Sequence, residues 1–158
     1  MIVALAATGY FTGYIAHTQP YEERVSKERI KEALVTMNLM TENFDGDYIQ
    51  NNITKDRMNG FNTEWAIECQ KIDDNNPDDS VGKSLSSLCN NIMVFGETVE
   101  AAASNNGGKD IPQLAVEAIK VQTSYIDDEV DTFARICDYD ELSQYAQKKL
   151  GGFTNRFN

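Results

Sequence analysis

The residues of this chain that could do chemistry are three cysteines, one histidine and a large set of carboxylates. Paired carboxylates on facing helices are the signature of a di-iron bundle, which also wants Glu-x-x-His steps. Glu97 and Glu100 stand at i, i+3, and Glu64 and Glu68 at i, i+4. The single His17 lies far from both pairs, so these acids read as solvated helix surface, the usual place for Glu. Calcium fares no better. The acidic run from Asp73 departs from an EF-hand loop at Pro77, Asp78 and Ser84, where a ligand, a glycine and the closing Glu belong. Asp45-Gly46-Asp47 and the cluster Asp127, Asp128, Glu129 and Asp131 could hold a divalent cation only loosely, and solvated charge is the plainer reading. Met37 and Met40 could offer thioethers to Cu(I), but they share a stripe with Ile30 and Phe44, where Met commonly fills gaps in a core.

Nucleophilic catalysis needs a Ser or Cys beside a base, and one His next to an apolar segment cannot supply a triad. GxSxG, P-loop and GxGxxG patterns are absent, and Gly107-Gly108-Lys109 lacks the rest of a phosphate loop. His17 could ligate a haem or chlorophyll at a membrane surface, though a lone boundary His is more often simply interfacial. A zinc site would want closely spaced Cys and His pairs, and no CxxC occurs. The sequence thus assigns no catalytic, cofactor-binding or metal residue, and no cofactor is expected.

Cys69 and Cys89 are a candidate disulfide. They fall near the end of one predicted helix and the start of the next, so a hairpin turning near 76–78 brings them to similar depths. The bond would close a loop of about 20 residues, worth about 3 kcal/mol in the chain-entropy model. Both also sit on apolar stripes, where buried free thiols are common, so three reduced cysteines remain the alternative. A disulfide would point to an oxidising compartment.

The elements that must carry these residues are helices. No period-2 strand pattern occurs, and apolar residues recur at three and four. Helix A is expected over about 20–44, with Ile30, Ala33, Leu34, Met37, Met40 and Phe44 on one face and Asp45-Gly46 ending it. Helix B is expected over about 48–72, opened by Asp47 with Gln50. Its stripe is Ile53, Met58, Phe61, Trp65, Cys69 and Ile72, with a break near 54 as an alternative. Residues 73–80 form a loop. Helix C, about 80–104, carries Leu85, Leu88, Ile92, Phe95, Val99 and Ala102 in strict three–four alternation. Helix D, about 111–137, is capped by Asp110 and expected to turn Leu114, Ala118, Val121, Tyr125, Val130, Phe133 and Cys137 to the core. A short helix E covers about 139–150 and is closed by Gly151-Gly152. The fold class is therefore all-α: an up-down bundle of four main helices plus a short C-terminal one, over residues 20–150. Residues 151–158 are expected as an exposed or partner-bound tail.

Ahead of the bundle, residues 2–16 contain no charge. As a helix they reach roughly 22–24 Å, short of the ~30 Å hydrocarbon core of a bilayer. No basic n-region precedes them and no good cleavage site follows Ile15, which argues against a signal peptide. A buried helix of the soluble domain is one alternative. An N-terminal membrane anchor over 1–19, whose beginning could lie upstream, accounts best for the absence of charge. Tyr10, Phe11 and Tyr14 suit an interfacial belt. Gly9 and Gly13 form a GxxxG step through which another transmembrane helix could pack closely.

Charge then narrows the partners. The formal net charge of the 158 residues is −11, and residues 36–147 hold 21 acids against seven bases. Such a body repels phosphate backbones, so nucleic acid is excluded as a partner. The expected partners are membrane lipid and other membrane-protein subunits. Arg24, Lys27, Arg29 and Lys31 favour a cytoplasmic side after the anchor. The polar composition and the sequon Asn52-Ile53-Thr54 favour an extracytoplasmic one, and the reading leans to the latter. The function expected is a non-catalytic accessory subunit of a membrane complex. The alternative is a membrane-tethered extracytoplasmic bundle that senses or binds a small ligand.

Overall fold

The structure is a computed structural model and describes residues 25–49, 53–76, 78–105 and 113–157. The described chain is a helical bundle without strands: α1 (Lys27–Ile49), α2 (Lys55–Asn75), α3 (Ser80–Asn105), α4 (Gln113–Ile136), α5 (Asp140–Lys149) and a 3-10 turn, Phe153–Phe157. α3 lies at the centre. It packs most extensively against α4 and α2 and also meets α1; α1 touches α2 and α5, and α4 supports both α5 and the 3-10 turn. Among the described residues no helix is long and apolar enough to cross a membrane. The apolar segment 2–16, with Gly9, Gly13 and His17, lies outside them.

The helical ends follow local chemistry. Ser26 opens α1 by accepting the Arg29 N–H on its hydroxyl (3.3 Å). Asp45-Gly46 does not close it: the helix runs on to Ile49, because a glycine inside a helix costs only about 1 kcal/mol. α2 accordingly starts later than Asp47 and Gln50 would place it. Thr54 is its N-cap, in extended conformation, with Oγ1 accepting the Arg57 N–H; a hydroxyl there satisfies an amide that has no carbonyl partner in the helix. Asp79 caps α3 the same way, accepting the Gly82 N–H at 2.6 Å.

The expected stripes of α1 and α3 are buried throughout, Met37 and Met40 among them. On α4 the stripe is corrected. Val121 and Tyr125 are half exposed, at 50% and 51%, and the buried face is Ile119, Thr123, Ile126, Val130 and Phe133. The expected run steps five residues from Tyr125 to Val130, which no single helix face allows; 119–123–126–130–133 keeps the three–four spacing. Thr123 hides this register. Its hydroxyl is buried yet satisfied by the Lys120 carbonyl (2.8 Å), so a polar residue occupies a core position.

α2 and α3 approach closely at Gly96. A Cβ there would lie 2.7 Å from the Trp65 ring and would also run into the Asn62 side chain. Trp65 belongs to a chain of aromatic contacts that crosses the molecule. Phe44 meets Trp65 (6.3 Å between centroids) and Phe95 (5.2 Å, 86°), and Phe95 meets Phe153 edge to face (5.1 Å, 90°).

Candidate functional site

Among the described residues, several chemistry-bearing side chains hold the bundle together. Cys69 on α2 and Cys89 on α3 are joined in a disulfide, with their Cα atoms 5.6 Å apart and a sequence separation of 20. Cys137 is a buried free thiol. Among the described residues no three His, Cys, Asp or Glu side chains gather as a metal-binding group.

The carboxylates are spread over structural tasks. Besides capping α3, Asp79 accepts the Val25 N–H (2.8 Å), so one side chain of the acidic loop ties the start of the described chain to a helix end. Glu129 spans from α4 to two hydroxyls of α3, Ser84 (2.5 Å) and Ser87 (3.0 Å). Asn62 on α2 donates to Glu100 on α3 (2.7 Å). Lys27 pairs with Glu141 and lies 5.3 Å from the Tyr139 ring centre. The mutual hydrogen bond raises the Lys27 pKa and lowers that of Glu141.

The most developed of these arrangements holds the C-terminal turn. Of the tail expected at 151–158 as exposed or partner-bound, residues Phe153–Phe157 form a 3-10 turn packed on α4. Gly152 takes a left-handed φ of 67°, which its missing Cβ permits, and the chain then drives Phe153 into the core with no exposed surface. Asp127 accepts the N–H groups of Phe153 (2.6 Å) and Thr154 (3.0 Å). Arg156 closes the turn. It donates to Asp45 (2.9 Å) and to the Lys149 carbonyl (2.6 Å), and its guanidinium lies 4.7 Å from the centre of the Phe153 ring. Burial raises the Asp45 pKa against the pull of Arg156. One turn away, the Asn38 amide lowers the pKa of Glu42, which also pairs with Lys149.

Among the described residues, exposed large apolar side chains include two groups. Val121 and Tyr125 stand one turn apart on the outer side of α4. The second group lies along a groove between α1 and α2 with a volume of about 350 Å³, lined by Leu39, Met40, Trp65, Ile67, Glu64 and Glu68 among others. Met40 and Trp65 form its buried floor, whereas Leu39 is 54% and Ile67 53% exposed. Two further depressions share its lining and extend it, one through Thr36 and Glu68 to Arg29 and Asn75, the other through Asn43 and Glu64 to Asp56 and Arg57. Sequence reasoning passed over this groove. Leu39 and Ile67, like Val35, are exposed apolar residues that fall off the stripes of their own helices, and that is the signal the sequence offers.

The chain matches no family model, no curated protein and no solved structure.

Proposed function

We propose that this chain is a non-catalytic accessory subunit of a larger membrane protein complex, held by residues 2–16 as an N-terminal anchor and by its acidic bundle, arranged up and down. Gly9 and Gly13 are the face through which the anchor packs on neighbouring transmembrane helices. The observation that carries this reading is the apolar surface left outside the core: Leu39 and Ile67 across one groove, and Val121 with Tyr125 on α4. Single exposed apolar residues are ordinary, but grouped ones are a usual mark of a contact surface. Asp79, Asp127, Glu129 and Glu141 serve capping and pairing and Cys69 with Cys89 cross-linking, which suits a part that braces other parts. The Cys69–Cys89 disulfide supports a bundle on the oxidising, extracytoplasmic side of the membrane.

The test is native purification in mild detergent through an affinity tag at Asn158, followed by mass spectrometry and lysine cross-linking. Stoichiometric partners cross-linked to Lys27 or Lys31 are the expected result. A lone monomer under gentle conditions defeats the reading and favours the sensor alternative, in which the α1–α2 groove would take a small ligand and raise the melting temperature.

A further inference from the structure

We propose that the groove between α1 and α2 seats an amphipathic helix of a partner subunit, one whose apolar stripe is flanked by Lys or Arg. The proposal rests on the accessory-subunit reading and adds to it a place and a partner chemistry.

Shape is the first argument. The three joined depressions follow α1 from Arg29 to Asn43, a run of about 21 Å at 1.5 Å per residue. That is the length of a four-turn helix lying in a trench. Polarity along the trench is the second. The ends are polar: Arg29 is engaged with the Asn75 carbonyl (2.9 Å) at one, and Asp56 and Arg57 line the other. The middle is apolar, and there Leu39 and Ile67 stand as the two walls over Met40 and Trp65. A helix presenting anchors at i, i+3 or i+4 and i+7 fills such a space, as in helix-in-groove recognition generally.

Charge selects the occupant. The middle of the groove is lined by Glu64 and Glu68 and by no Lys or Arg; Lys71 reaches Glu68 from the neighbouring turn (2.6 Å). An incoming helix with basic residues beside its apolar stripe meets Glu64 favourably, and one with acids there is repelled. Residues 2–16 are uncharged, and residues 36–147 carry three acids for every base. Segment 2–16 and the acidic span 36–147 are therefore the poorer charge match, and a partner helix with flanking bases the better one.

The experiment places a photo-reactive benzophenone amino acid at position 39 or 67 of the full chain in its own cells, with illumination, tag purification and sequencing of the cross-linked peptide. Both positions are half exposed, so the bundle folds around the probe. The expected adduct is a segment of a co-purifying subunit with apolar residues at helical spacing and Lys or Arg beside them. Its yield should fall about tenfold when Glu64→Lys and Glu68→Lys are introduced together, the effect of roughly 1.4 kcal/mol of lost attraction, with helix content unchanged. Adducts on residues 1–24, on a second copy, on lipid, or on an acidic or neutral segment overturn the proposal, as does an adduct indifferent to the charge reversal. Subunits that co-purify while positions 39 and 67 yield nothing remove the groove proposal and leave the subunit reading standing. Absence of any co-purifying subunit removes both.

Discussion

Replacing Phe153 with Ala should destabilise the bundle by about 4 kcal/mol. The ring has no exposed surface. Truncation to Ala takes away roughly 120 Å² of buried apolar area, about 3 kcal/mol at ~25 cal/mol per Å². The edge-to-face contact with Phe95 and the Arg156 guanidinium above the ring are lost as well, and together they add about 1 kcal/mol. The sum sits within the ~3–5 kcal/mol typical of Phe→Ala in cores. The sole tryptophan of the chain, Trp65, is buried at the far end of the same aromatic run, so its fluorescence reports unfolding in urea. With a slope of about 2 kcal/mol per molar urea, the midpoint should drop by about 2 M. Phe153→Leu, which refills most of the space, should cost distinctly less. A loss below about 1 kcal/mol for Phe153→Ala would refute the buried turn at Phe153–Phe157.

Three other outcomes are expected. In denaturant without reductant one thiol, Cys137, should alkylate, and all three cysteines after reduction; the double variant Cys69→Ala, Cys89→Ala should lose about 3 kcal/mol of stability, and three reactive thiols before reduction would exclude the disulfide. Gly96→Ala should cost about 1–3 kcal/mol by overpacking against Trp65, read as a lower melting temperature; an unchanged value would mean that α2 and α3 are less close than described. The burial-raised pKa of Asp45 means that the folded state holds this proton more tightly than the unfolded state. Its contribution to stability is therefore full below the ordinary Asp pKa, about 3.9, and is lost as pH rises through the raised value. Wild type should gain on Asp45→Asn as pH is lowered through this range in paired thermal melts, and parallel melting curves would contradict it.

The architecture was legible because apolar periodicity dominates where packing is simple. Helix α3 shows this best: every residue of its three–four stripe from Leu85 to Ala102 is buried. On α4 the pattern misled because a satisfied Thr123 sits in the core while Val121 and Tyr125 sit outside it, so hydrophobicity alone points to the wrong face. The α1–α2 junction was misplaced because Gly46 looks like a stop signal, and only tertiary contacts decide whether a helix tolerates it. Nor could the sequence indicate that Asp127, 26 residues before Phe153 in the chain, would cap the turn there. Long-range caps leave no local trace. The α1–α2 groove had a faint one in Leu39 and Ile67.

The aromatic run also sets a schedule for biosynthesis. Phe44, Phe95 and Phe153 meet in one line, yet the first is translated more than a hundred residues before the last. At ~5–20 residues per second, roughly 5–20 s separate them. From the synthesis of Phe95 until that of Phe153, α3 carries an apolar face that lacks its final covering ring. The nascent bundle thus offers a holdase a timed target, and slower decoding between Phe95 and Phe153 would lengthen that exposure without changing a single contact of the finished fold.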